Sequence, residues 1–211
     1  MKFVKVPGTK VLFCIHETRK KDFTAFTVAT PDFSTTGISI RGEEEEPVRA
    51  VSWDDAKAFC CWLGQKEGRV YRLPTDREWS TAVGLGRNED KEEFPWGRRW
   101  PPPEGAGNFA DTTFNARNPK RPFIEGYTDG YTDPAPVMSF QPNKLGVYDL
   151  AGNLNEWCED LRPDGKARVM RGSSAGEANP FNLLSFVRNG FQQDSRNNAW
   201  VGFRIVLETT E

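Results

Sequence analysis

A single histidine, His16, and four cysteines, at positions 14, 60, 61 and 158, are the whole supply of soft metal and redox ligands in 211 residues. One histidine excludes any site that needs two or three imidazoles. Cys60 and Cys61 are adjacent in a predicted helix, so they project in different directions and do not pair, and the four spacings fit no zinc motif. Free thiols in a reducing compartment are the simplest reading, with a Cys14–Cys158 bridge left open. No apolar run approaches the roughly 20 residues that cross a bilayer, so no membrane span is expected. Met1 to Pro7 lacks the apolar stretch of a signal peptide, which implies a cytoplasmic protein if the chain is full length and a mature or excised domain otherwise. Acid barely exceeds base, with a formal net charge of −2, so composition makes no general case for nucleic acid or an anionic membrane as partner. There is also no nucleophile elbow, no phosphate-cradling glycine loop before a helix, and no Ser–His pair of evident geometry.

What is present is aromatic and irregular. Seven Trp and fifteen Phe supply a core, while nineteen Gly and fifteen Pro predict much non-repetitive backbone. The length suits one domain over residues 1–211. Val4 to Pro7 and Val11 to Ile15 read as two short strands around the Pro7-Gly8 turn. A helix is expected from about Thr18, with Phe23 and Phe26 facing inward. Residues 31–46 form a polar loop ending in the solvated acid run Glu43 to Glu46. Ser52 and Asp55 resemble a capping box at the head of a helix whose stripe is Trp53, Ala56, Phe59, Cys60 and Leu63 and whose stop is Gly68. Val70 to Leu73 is a short strand, and Thr75 with Glu78 caps a helix to about Val83. From Gly84 to Gln141 regular structure should be sparse, and a loop that long needs something to hold it. Strands are expected at Ala167 to Gly172, Leu183 to Arg188 and Trp200 to Leu207.

The centre of the chain is Gly146 to Trp157, with apolar residues suited to a strand, a break at Gly152-Asn153, and an acid beside a tryptophan. Asp149 and Glu156 are hard oxygen donors of the kind Ca²⁺ prefers. On spacing alone the commoner reading is a polar turn whose carboxylates bond nearby N–H groups. This stretch resembles the signature of the formylglycine-generating enzyme family, the sulfatase-modifying factors. Further landmarks follow in order: Pro47-Val48 through Ser52 to Ala56, Arg72 to Thr75 with Glu78-Trp79, Phe94 to Gly97, Gly107-Asn108, Ala135 to Val137, Arg171 to Ser174, and Gly202 to Arg204. The resemblance runs from about residue 47 to the C-terminus. It implies an α+β, loop-rich, C-type-lectin-like fold with two or three helices and short antiparallel strands.

The resemblance also implies two structural calcium ions. One would be held by the Asn108 and Asp129 side chains and the Phe109 and Tyr131 carbonyls. The other would be held by the Asp149 and Glu156 side chains and the Gly152 and Leu154 carbonyls. The family's enzymes oxidise a substrate cysteine with a copper-binding cysteine pair between the Gly-Gly-Ser-like motif and the final Gly-Phe-Arg. Here Ser174 to Val201 contains no cysteine. Copper(I) needs thiolates, so neither copper nor the activity is expected. The histidine-held iron of related sulfoxide synthases is excluded by the lone His16.

What remains is a binding surface for a protein or other macromolecule. Phe191 and Trp200 sit among polar neighbours, as interface aromatics do. Some proteins of this fold are variable proteins of bacterial diversity-generating retroelements, diversified near the C-terminus at asparagine-type codons. The asparagines at 179, 182, 189, 197 and 198 and the closing Gly-Phe-Arg resemble that pattern. The contact positions would then be Ala175, Glu177, Ala178, Phe186, Val187, Asn189, Phe191, Asn197, Asn198 and Trp200. The alternatives are a sensor or regulatory domain associated with a bacterial kinase, and a metal-dependent oxidase with an unfamiliar site.

Overall fold

The computed structural model describes residues 1–85 and 89–209. The chain opens with a hairpin, β1 (Phe3–Lys5) and β2 (Val11–Cys14), and continues through α1 (Lys20–Ala29), α2 (Trp53–Glu67), β3 (Tyr71–Arg72) and α3 (Asp76–Val83). Among the described residues, a long irregular stretch holds only α4 (Thr112–Arg117) before β4 (Asn155–Leu161). There follow β5 (Arg168–Arg171), α5 (Pro180–Leu183), β6 (Asn189–Phe191), β7 (Val201–Gly202) and β8 (Val206–Glu208). One sheet runs β1-β2-β8-β3, all antiparallel, and the other runs β6-β5-β4-β7, with β4 and β7 parallel.

The two capping boxes form as the residue types dictate. Ser52 Oγ accepts from Asp55 N at 3.1 Å while Asp55 Oδ2 accepts from Ser52 N at 2.8 Å. Thr75 and Glu78 repeat this at 3.1 and 2.8 Å. Gly68 ends α2 at φ 64°, a left-handed position that glycine adopts without a Cβ penalty. The α2 stripe packs on α1 and the first sheet. There Phe59 stacks on Phe23 at 5.8 Å and meets Phe203 edge-on at 5.5 Å.

Several expected elements move, each for a visible reason. The first helix starts at Lys20 rather than Thr18, because Thr18 N donates to Phe203 O and Thr18 O accepts from Val48 N. That backbone is extended between two neighbours and cannot also coil. Gly146 to Leu150 is not a strand. Positive φ at Gly146 (79°) and Asp149 (55°) breaks its alternation, and the strand begins only at Asn155. Leu183 to Arg188 is not a strand either. Asn179 caps a short helix with Pro180 in its first turn, and the next amides close on themselves, Leu184 N to Phe181 O and Val187 N to Leu184 O. The last expected strand is divided into β7 and β8, which belong to different sheets.

The aromatic cluster generates a first prediction. Phe59 is 1% exposed, so Phe59→Ala should cost about 3–5 kcal/mol of stability in urea unfolding. Val28→Ala, at 76% exposure, should stay within about 0.5 kcal/mol of the parent.

Candidate cation sites and recognition face

Two chain segments far apart in sequence touch at Asn108 and Gly152, which form a parallel bridge closed by Asn153 N donating to Asn108 O at 2.9 Å. A Cβ on Gly152 would lie 2.0 Å from Asn108 O, so only glycine permits the crossing. Asn153, buried and at φ 62°, saturates its amide there. Its Nδ2 donates to Glu17 Oε2 (2.6 Å) and Ala135 O (3.3 Å), and its Oδ1 accepts from Ala135 N (2.8 Å) and Asn108 Nδ2 (3.2 Å). Glu17 completes the knot by accepting from Leu154 N at 3.0 Å.

The second expected calcium set lies on this loop. Glu156 is fully buried and accepts from Trp79 Nε1 (2.9 Å) and from Arg204 through Nε (2.6 Å) and Nη2. Arg204, also fully buried, donates further to Tyr148 O (2.9 Å), Asp149 O (3.2 Å) and Cys14 O (3.3 Å). Burial works against that guanidinium's charge, but Glu156, Glu17 and Asp149 more than offset it and keep its pKa high. Asp149 Oδ2 accepts from Met138 N at 2.8 Å, whereas its buried Oδ1 meets no donor. Burial pushes the Asp149 carboxyl up to about 6. A trans peptide sets each C=O opposite the following N–H. Asn153 N points at Asn108 O and Asn155 N at Trp200 O, so the Gly152 and Leu154 carbonyls point away from both neighbours. Asp149 also lines a cleft of about 220 Å³ walled by Trp96, Phe140 and three prolines, through which solvent approaches. The donor set, with an unpaired carboxylate oxygen, fits a hard cation.

The first expected set is also brought together. Asp129 Oδ2 accepts from Phe109 N (2.9 Å) and Oδ1 from Tyr131 N (2.8 Å), so the residues expected to offer carbonyls also hold the carboxylate. Burial outweighs those bonds and pushes Asp129 up to about 7. Asn108, at 0% exposure, has an Oδ1 without a donor. This set fits a hard cation by the same criterion. Among the described residues no three Asp, Glu, His or Cys side chains converge as a metal-binding group, so any ion here must draw on amide and backbone oxygens. All four cysteines are free, and burial pushes the thiols of Cys14 and Cys60 up to about 11 and about 12.

The expected contact positions divide into framework and surface. Ala175 and Val187 are buried, at 1% and 8%, and cannot touch a partner; Ala175 N instead donates to Asn153 O. Phe191, in β6, is half-buried against the main core. Trp200 is half-buried over the Gly176 backbone, where a Cβ would meet its ring at 3.0 Å. Glu177 braces its own loop, accepting from the Ala178 and Asn179 amides and from Asn182 Nδ2. Ala178 and Phe186 are half-buried and Asn197 is exposed. Asn189 bonds Asn155, and Asn198 Oδ1 accepts from Trp200 N. Phe181, absent from the expected contacts, is 58% exposed and meets Phe186 edge-on at 5.8 Å. Two arginines pin the segment. Arg188 grips Glu89 through both Nη atoms and Asp76 through Nε, and Arg196 grips Asp55. Gln193 O caps α2 by accepting from Trp53 N and Asp54 N.

One antiparallel and one mixed sheet, short helices and two oxygen-rich loops around an aromatic core define the α+β fold of the formylglycine-generating-enzyme type. Residues 2–209 match the family described as "Sulfatase-modifying factor enzyme 1-like domain", and the chain belongs to it. It is 39% identical over 125 residues to the formylglycine-generating enzyme of Thermomonospora curvata, covering 59% of this chain and 36% of that protein. It is 38% identical over 141 residues to the inactive C-alpha-formylglycine-generating enzyme 2 of Mus musculus, covering 65% of this chain and 40% of that protein. The chain therefore spans less than half the length of these relatives. Treponema denticola variable protein 1 shares the fold, with a TM-score of 0.72 at 18% identity over 99% of this chain and 92% of that one.

Glu17, Asn153 and Arg204 were not singled out from the sequence as site residues. Arg204 was signalled by its Gly-Phe-Arg motif, but nothing local marked Glu17, whose partners lie more than 130 residues away. The arginine pins carry a pH signature. Arg188 holds Glu89 below the usual carboxylate range, so the stability from this pair is present at neutral pH and lost as pH falls through the folded-state pKa. Glu89→Gln should lower the urea midpoint at pH 7, and the difference should vanish well below the ordinary glutamate pKa of about 4.3.

Proposed function

We propose that this chain, folded as one domain, is a non-catalytic recognition module that presents the segment from Ala175 to Trp200 to a macromolecular partner, most simply a protein. The observation that carries this reading is the make-up of that segment. It lies where the family's copper-binding cysteine pair is expected, yet holds no cysteine, and its outward side chains, Phe181 and Asn197 among them, ride on a backbone pinned by Arg188 and Arg196. A relative named as inactive supports loss of the activity within the family, and the fold shared with a variable protein supports diversification of the segment by a retroelement. Two structural calcium ions complete the reading. Asn108, Asp129 and the Phe109 and Tyr131 carbonyls would hold one; Asp149, Glu156 and the Gly152 and Leu154 carbonyls would hold the other. Each would anchor loop that hydrogen bonding alone leaves with unpaired oxygens.

Calcium at 100 times its Kd should raise stability by about 2.7 kcal/mol per site, seen as a higher melting temperature than in chelator. A melting temperature indifferent to verified metal removal would sink the calcium reading. A sulfatase-type cysteine peptide incubated with the protein, copper and oxygen should stay unmodified by mass spectrometry, and turnover would overturn the non-catalytic reading. Sequencing the gene from many cells of one strain should show substitutions confined to codons for residues 175–200. A uniform sequence would remove the retroelement and leave a module with a fixed partner.

A further inference from the structure

Three carboxylates are buried together where the turn before α1 meets the loop from Asp149 to Glu156. Glu17 is 0% exposed, Asp149 6% and Glu156 0%. The cation that faces them is Arg204. Among the described residues, three ionised carboxylates against this one guanidinium would leave two negative charges uncompensated, and burying unpaired charge is costly. An independent sign points the same way. Asp149 Oδ1 and Thr18 Oγ1, the latter beside Glu17, are buried polar atoms with no partner. Glu17 itself is already committed, with Oε2 to Asn153 Nδ2 and Oε1 to Leu154 N. It therefore acts on the loop and on the field rather than as a direct ligand, in keeping with the absence, among the described residues, of three acidic side chains placed to hold one ion.

We propose that Glu17 is the positioning residue of a divalent-cation site at Asp149 and Glu156. It fixes the Asn153–Leu154 peptide that precedes the Leu154 carbonyl, and it adds the negative charge that makes the site require two positive charges instead of one. The inference rests on the calcium reading above and extends it to a residue outside the loops expected to bind the ion. It makes the N-terminal segment part of the site, and it makes the site selective for divalent over monovalent cations.

The test uses calcium and terbium as probes. In an Asp129→Asn background, which removes the other site, one ion should bind by calorimetry, and terbium should show tryptophan-sensitised emission because Trp79 is bonded to Glu156. Adding Glu17→Gln should weaken binding at least tenfold, and Glu17→Asp, which keeps the charge, should recover part of that loss. Wild-type affinity in a folded Glu17→Gln protein would overturn the proposal, as would equal losses in both variants. Should Glu17→Gln fail to fold, hydrogen exchange on the unaltered protein decides. Calcium should slow exchange at the Leu154 amide and across residues 15–20, and unchanged exchange there refutes the role of Glu17. If the unaltered protein binds no calcium at all, the calcium reading fails with it; calcium binding that ignores Glu17 sinks this inference alone.

Discussion

A guanidinium with no access to water holds this molecule together. Arg204 sits between β7 and β8, the strands that belong to the two different sheets, and its donors reach β2 through Cys14 O, the loop through Tyr148 O and Asp149 O, and β4 through Glu156. Its planar fork can satisfy several acceptors in fixed directions at once, which a lysine could not. A charge buried so completely is tolerable only because Glu156 is buried against it. Once that pair is fixed, the acid-rich loop, the Trp79 indole and the joint between the sheets have one compatible arrangement.

Local rules were legible in the sequence, and long-range ones were not. Both capping boxes, the Gly68 stop and, among the described residues, the sparse stretch after residue 84 form as read. The misread elements, Gly146 to Leu150 and Leu183 to Arg188, are apolar runs whose periodicity fits a strand. Positive φ at Asp149 and the Asn179 cap, neither marked by composition, turn them elsewhere. The candidate cation residues were expected from residue types on family spacing; Asn108-Phe109 and Asp129 meet from either side of α4, and Asp149 to Glu156 run from the loop into β4. Glu17 could not be found that way, because an isolated acid before a helix carries no signal until the fold brings Leu154 to it.

The segment from Ala175 to Trp200 separates two roles that usually compete. Its course is set by groups that face inward: Arg188 on Asp76 and Glu89, Arg196 on Asp55, Gln193 O on the α2 amides, and Ala175 N and Trp200 O on the Asn153–Asn155 stretch. Its outward chemistry is set by other side chains, such as Phe181 and Asn197, which the backbone does not need. Substitution at those outward positions therefore changes what the surface offers without changing where the chain runs.

The placement of β8 bears on how the molecule is made. It is an interior strand of the first sheet, paired with β2 through Phe13 and Val206 and with β3 through Tyr71 and Leu207. The hairpin and β3 emerge from the ribosome long before the strand that joins them. The first sheet cannot close until residues 206–208 have been synthesised, and the loop that must close first is most of the chain, a topology that folds slowly. During that interval the Phe23, Phe59 and Leu73 faces lack Phe203 and Leu207 to cover them. The growing chain is then most dependent on its own helices, or on a chaperone, to keep those aromatics from other molecules.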